Sequence, residues 1–327
     1  MRKKSLDLYW LEAMKQRGHL SDEEQRSYQR LRKGFEGELT FDQLCHQFLE
    51  NETDYLDDVT LDYYGDVSQM DKIIKNKNII YLVDIKNYQG NYVYENNALR
   101  SEKRIFTNDI FEQARRSRRI FTRLFADYHL PLEIKNVIAF INGQGRITIN
   151  DELPEIVLNY EEIPMWLMSM RDHEQGQNND WQKLVQKYQI QFYKNSRFCT
   201  KERFKQLKKG IHCEKCGSFS LKTKRYTIQC LCGHTEVKKI GYLRTICEYG
   251  LIMHHLPLKR SEIIQFFGKK YSADYIKNTL INYFIPLNMG IKDGRYQNYG
   301  RPFDYWFENE DINLDKLVKR KNWQTRF

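Results

Sequence analysis

No apolar run in the sequence approaches the roughly 20 residues a membrane-crossing helix needs. The basic start, MRKK, is followed by Asp7 and Glu12 rather than by the apolar core of a signal peptide. Both absences lead to the expectation of a cytoplasmic protein with no membrane segment. There is no internal repeat and no long low-complexity tract, which sets aside solenoid and linker-like readings. Cysteines are odd in number, seven, and the clustered ones suit metal binding in a reducing compartment better than a disulfide framework. Acidic side chains are the scarcer sign, 43 against 53 basic, for a formal charge of +10 and a pI near 9.1. That excess favours a polyanionic partner, nucleic acid first, with an anionic membrane surface as the rival. Hydrophobic residues make up 41% and aromatics 14% of 327 residues, enough for cores in about two or three domains.

Five segments are expected: N-terminal helices over 1–33, an α/β core over 34–150, a helical and loop connector over 151–210, a cysteine module over 211–240 and a C-terminal unit over 241–327. In the first, Ser21 and Glu24 form a capping-box pattern at a helix start. Residues 37–50 place Leu44, Cys45, Phe48 and Leu49 on one helical face. VTLDYYGD alternates as a strand, and MDKIIKNKNIIYLVDIKNY reads as a hairpin. A long helix with an apolar stripe follows from 108 to 129, and then the apolar strand NVIAFING. A loop over 172–180 and a helix over 181–194 complete the connector.

The hairpin carries the chemistry. With Asn76 and Lys77 as its turn, Asp71 lies opposite Leu82, and Asp71, Asp84 and Lys86 share a face. Asp71 and Asp84 then become diagonal neighbours, about 7 Å apart or less between Cβ atoms. Two carboxylates that close stay ionised when a hard cation lies between them, and Mg²⁺ (or Mn²⁺) with one or two carboxylates plus phosphate oxygens fits. Lys86 would steady a water nucleophile or the charge growing on a phosphate. The plain alternative is a strand that ends in charged residues, because D-x-K alone is common.

Several ordered blocks carry a resemblance: KGFEGELTFDQL, SQMDKII, IIYLVDIKNYQGNY, IFEQARRSRRIFTRLF and VIAFIN. Together, over about residues 32–145, they resemble the nuclease-related domain, NERD, of the PD-(D/E)xK nuclease superfamily. The resemblance implies a mixed sheet flanked by helices and a set of roles. Glu38 would be the helical acid near the metal, Asp71 the metal-binding acid of the second strand, and Asp84 with Lys86 the (D/E)xK pair. Gln69 matches the polar residue before the acid. Gln113 matches a glutamine on the helix after the core strands, supporting the site or the substrate backbone. The departure is Asp84, where NERD sequences commonly have Glu, which draws the carboxylate back by about one methylene. Arg115, Arg116, Arg118 and Arg119 form either a solvated face or a phosphate-tracking one.

Cys213, Cys216, Cys230 and Cys232 have the spacing C-x2-C-x13-C-x-C. Each short pair turns to present two thiolates to one ion, and Gly217 and Gly233 follow the pairs as such turns require. This is the pattern of a zinc ribbon with a structural Zn²⁺. His212 and His234 flank it, and Lys222, Lys224, Arg225 and Tyr226 either grip nucleic acid or sit beside neighbouring domains as a brace. Beyond it, RTICEYGLIMHHL, KRSEIIQFFG and SADYIKNTLINYF read as three helices, and MGIKDGRYQNYGRPFDYWF as two strands around a wing. The order resembles a winged helix-turn-helix over about 243–308. It would place Tyr275, Lys277 and Asn278 near the major groove and Arg295 and Arg301 near phosphate or the minor groove. The alternative is a winged helix that binds protein.

The expected protein is thus multidomain: an α/β nuclease core, a small zinc ribbon and a winged helix. It would hydrolyse phosphodiester bonds with Mg²⁺ or Mn²⁺, and its partner is nucleic acid, DNA favoured. The competing expectation is a non-catalytic nucleic-acid-binding or regulatory protein built on a degenerate nuclease scaffold, with a protein-interaction adaptor as a third.

Overall fold

The computed structural model describes residues 2–49, 55–101, 104–106, 110–170, 180–190, 195–287 and 294–306. Contacts divide the chain into two compact units, Met1–Lys3 with Gln29–Phe192 and Lys4–Tyr28 with Tyr193–Phe327. Two helices come first, α1 (Leu6–Arg17) and α2 (Asp22–Phe48). Ser21 starts α2 as expected: its hydroxyl accepts from the Glu24 N–H (3.2 Å) and its N–H donates to the Glu24 carboxylate (2.9 Å). The separate helices expected before and after residue 37 are one element. Gly34 and Gly37 are carried within it.

Three antiparallel strands follow, β1 (Tyr55–Tyr63), β2 (Asp66–Asn76) and β3 (Ile79–Lys86). Next come β4 (Gly90–Glu95), β5 (Ala98–Ser101), β6 (Arg104–Phe106), α3 (Glu112–Asp127), β7 (Glu133–Phe140), β8 (Gly145–Ile149), β9 (Ile156–Leu158), α4 (Ile163–Met168) and α5 (Asp180–Tyr188). The main sheet has the order β1-β2-β3-β7-β9, with β7 parallel to both of its neighbours. One face packs on α3 through Ile73, Ile80, Leu82, Phe121 and Leu124. The other packs on α2 through Ile74, Val83, Ile85, Phe41 and Cys45. This mixed sheet flanked by helices fits a nuclease core. A second sheet, β6-β5-β4-β8, was not foreseen. Its strands are short and rich in polar residues, so they lack a clear two-residue alternation. The loop expected over 172–180 lies almost wholly outside the described residues, as does the end of the 181–194 helix.

The hairpin register differs from the expectation. Ile73, not Asp71, faces Leu82, and the turn is Lys77–Asn78. Lys77 takes a left-handed φ of 53° there, a demand of tight hairpin turns that the string NKN leaves open between two placements. The shift is two residues, so every side chain keeps its face.

The second unit contains α6 (Lys201–Gln206), β10 (Leu221–Thr223), β11 (Thr227–Cys230), β12 (Thr235–Val237), α7 (Lys238–Ile252), β13 (Leu258–Lys259), α8 (Arg260–Phe267), α9 (Ala273–Tyr283), β14 (Arg295–Tyr296) and α10 (Phe303–Trp306). Strands β10, β11 and β12 form one antiparallel sheet, and β13 pairs with β14. The expected strand through RPFDYWF is instead a short helix after Pro302, whose carbonyl accepts from Tyr305 and Trp306. Much of the expected wing, 288–293, lies outside the described residues.

Arg17 on α1 is fully buried and ties its helix to α7, pairing with Glu248 at 2.6 Å and donating to the carbonyls of Lys208 and Gly210. Burial alone would raise the Glu248 carboxyl, but Arg17 and His212 hold it well below the ordinary glutamate range. The stability this gives is present above the ordinary value of 4.5 and is lost as pH falls below it. Arg17→Met is expected to cost about 3–5 kcal/mol, because Glu248 is left buried without its guanidinium partner. Urea unfolding will measure it, and Arg17→Met/Glu248→Leu should recover most of the loss.

Candidate active site

The β2–β3 ladder ends at Lys72↔Val83. Beyond it the strands separate, and the Ile85 N–H donates to the Asp71 carboxylate at 2.7 Å instead of to a β2 carbonyl. The β1–β2 pair is disturbed at the same level. Asp58 is left-handed at φ 48°, and Leu56 and Val59, three apart, pack against one cluster, as do Ile73 and Met70. Two-residue alternation therefore slips at Asp58 and Asp71, while the β1–β2 register is the same on either side of them.

Asp84 follows Leu82 on the α3 face. Its Oδ1 accepts from Lys86 Nζ at 2.8 Å. Its Oδ2 is buried with no hydrogen-bond partner among the described residues. Burial first, and then the charge of Asp84, push the Asp71 carboxyl up to about 7. Burial would lower the Lys86 ammonium, but Asp84, Tyr88 and Asp71 carry it above the ordinary lysine value. Two carboxylates pressed together, one with an orphaned oxygen, form a donor set that fits a hard divalent cation.

Gly37 explains how Glu38 comes near this pair. A Cβ at Gly37 would lie 2.7 Å from the Asn87 Cβ and 3.0 Å from the Ile141 side chain. Only glycine lets α2 lie this close to the end of β3. Asn87 adds a bond from its Nδ2 to the Lys33 carbonyl at 2.7 Å. Burial lifts the Glu38 carboxyl above its ordinary value, Arg2 opposes, and Asp58 and Asp42 add to the rise.

Gln69, Asp71, Asp84 and Gln113 line one small cavity together with Ser117 and Asn136. Gln69 also donates to Asp58 at 2.9 Å. Three participants lay outside the sequence reading. Ser117 and Asn136 had a weak signal at most, a small residue on the inner face of α3 and one amide opening an apolar strand. Arg2 had none. Its buried guanidinium donates to Asp42 (2.9 and 3.1 Å) and to the Asp71 carbonyl (2.9 Å), and lies 3.5 Å from Glu38. Lys72, also buried, joins Asp42 (2.9 Å) and Asp57 from the α2 side.

Of the arginine row, Arg115 is held by buried Glu155 at 2.9 Å, while Arg116, Arg118 and Arg119 are exposed. On α9, Lys277 and Asn278 are exposed, and Tyr275 is half-buried against Tyr242, with ring centroids 4.5 Å apart. Ser272 caps that helix, accepting from the Tyr275 N–H at 3.2 Å.

The Sγ atoms of Cys213, Cys216, Cys230 and Cys232 all lie within 4.8 Å of one another. The Cys213–Cys232 and Cys216–Cys230 separations are 3.7 and 3.5 Å. A tetrahedron with Zn–S bonds of about 2.3 Å has edges of about 3.8 Å, so the four thiols fit zinc. Gly217 and Gly233 take φ of 72° and 86°. His212 turns away to Glu248 and Arg244. Lys222 on β10 and Lys224, Arg225 and Tyr226 on the turn from β10 to β11 are exposed.

Comparison with known families matches residues 33–141 to the nuclease-related domain, NERD. The match covers the second half of α2, the hairpin, α3 and β7, and it likens this part of the chain to a nuclease-related domain. Comparison with curated proteins and with solved structures returns no match. Among the described residues no helix is long and apolar enough to cross a membrane.

Asp71 yields a pH prediction. Its folded-state value lies above the ordinary 3.8, so its ionised form penalises the metal-free fold increasingly as pH rises from there through about 7. A bound cation relieves that penalty and competes with the proton. Added Mn²⁺ is therefore expected to raise Tm more at pH 8 than at pH 6, measured by calorimetry on wild type and on Asp71→Asn. An equal rise at both pH values in wild type would contradict it.

Proposed function

We propose that the protein is a metal-dependent nuclease that hydrolyses phosphodiester bonds, with DNA as its favoured substrate. The observation that carries this reading is the meeting of Glu38, Asp71, Asp84 and Lys86 where β2 and β3 part. Asp71 and Asp84, with Glu38 beside them, would hold Mg²⁺ or Mn²⁺, which polarises a phosphate oxygen and lowers the pKa of a bound water. Lys86 keeps a positive charge at this point and offers it to the phosphate. Gln69 and Gln113 border the same space and position the substrate backbone. Arg116, Arg118 and Arg119 on exposed turns of α3 contact phosphates on either side, which sets register and affinity rather than sequence. Arg115 serves them by bracing the helix through Glu155.

The four-cysteine module is proposed as a zinc ribbon, and α7, α8 and α9 with β13 and β14 as a winged helix. Lys277 and Asn278 would face DNA from α9, and Arg295 and Arg301 are further contacts near it. The direct test is incubation of the purified protein with plasmid and with single-stranded DNA in Mg²⁺, Mn²⁺ or EDTA. Cutting in either metal and none in EDTA is the expected result.

A further inference from the structure

Asn136 opens the buried run Asn136–Phe140 of β7. It is 1% exposed, and on the α3 side of the strand it stands between Ile134 and Ile138, each packed in an apolar cluster. Among the described residues no protein group bonds its Nδ2 or its Oδ1. An unmet buried polar group destabilises the fold, a cost that a leucine or valine would not carry. The cavity that Asn136 shares with Asp71, Asp84, Gln113 and Ser117 measures about 10 Å³, close to the minimum for one water. The second orphan in its lining is Asp84, through Oδ2. Ser117 relieves neither, because its hydroxyl is shared between Ser68 Oγ (2.6 Å) and the Gln113 carbonyl (2.8 Å).

The two orphans are complementary. Asn136 has N–H donors to give, Asp84 has an acceptor to fill, and a water both accepts and donates. We propose that Asn136 is a positioning residue of the nuclease site, holding one enclosed water that donates to Asp84 Oδ2. Lys86 on Oδ1 and the water on Oδ2 then fix the carboxylate plane, and each oxygen keeps a further lone pair for the cation. Asn136 acts only through Asp84. Outer-shell partners of this kind are worth about 10–100-fold in metal affinity. The inference rests on the nuclease reading above.

The test uses zinc-loaded full-length protein titrated with Mn²⁺ by calorimetry, with the Tm of each variant recorded in the absence of Mn²⁺. Asn136→Leu and Asn136→Val should keep or raise Tm, because an apolar side chain replaces a buried amide, yet bind Mn²⁺ about 10–100-fold more weakly. Their kcat on DNA should fall with KM unchanged. Asn136→Ser, whose hydroxyl can still hold the water, should stay closer to wild type. Wild-type Mn²⁺ affinity in the Leu and Val variants, or affinity lost only in step with Tm, would make Asn136 a packing residue and overturn the inference. Failure of the nuclease reading looks different: wild type itself would lack a Mn²⁺ site that Asp84→Asn removes, and the inference would fall with that reading.

Discussion

On the proposed mechanism, Asp84→Asn is expected to reduce phosphodiester cleavage by at least about 10³-fold, since the charge it removes would underlie several kcal/mol of transition-state stabilisation. Asparagine matches aspartate in shape, so packing is preserved and only the charge is lost. That charge does two things. In the proposed site it would supply, with Asp71, the negative field for a divalent cation, and it anchors the Lys86 ammonium at 2.8 Å. Its loss also relieves Asp71, whose carboxyl is raised by burial and then by Asp84. The variant should therefore keep or gain Tm while losing activity, a combination that a folding defect cannot mimic. Cleavage of plasmid and of single-stranded DNA, with melting curves on the same preparations, will check it. Equal cutting by wild type and variant would locate hydrolysis elsewhere or in a contaminant. DNA binding without cutting by wild type would favour the non-catalytic scaffold.

Cys230→Ser/Cys232→Ser is expected to abolish zinc binding and to unfold the three-stranded sheet of β10, β11 and β12. Among the described residues, that sheet's strands have three, four and three residues. So little chain buries too few side chains to offset its ordering entropy. Binding free energies of structural zinc are about 10–16 kcal/mol in small domains, and there they act as folding free energy. Metal analysis should find one zinc per wild-type chain and none in the variant. Amide exchange should show loss of protection across 221–237 while β1, β2, β3 and β7 stay protected. Retained protection in a zinc-free variant would show that the sheet is held by packing alone.

Much of the site was legible because its signals are local. A two-residue period survives the two-residue register error at Lys77–Asn78, so Asp71, Asp84 and Lys86 reach one place from either turn. The Ser21–Glu24 box and the Ser272 cap span three residues each, and chain spacing alone specifies them. The second sheet was not legible, since strands as short as β5 and β6 present no period to read. RPFDYWF misled for a related reason: its alternating aromatics suit a strand, but Pro302 starts a helical turn and its carbonyl takes the bonds a partner strand would have offered.

By itself the sequence determined the chemistry available: a basic chain, two acids and a lysine at one end of a hairpin, and four cysteines at zinc spacing. Period and spacing along the backbone carry such facts, and they hold wherever the elements end up. Only the tertiary structure decided how the acids are tuned. Gly37 brings Glu38 close because the end of β3 leaves no room for a Cβ. Arg2 clamps the Asp71 backbone across 69 residues of chain, and the parallel pairing of β7 with β3 puts Asn136 in the same small cavity as Asp84. These contacts join residues far apart in the chain, and burial, which raises the Asp71 carboxyl, exists only once the sheet and its helices have closed around it.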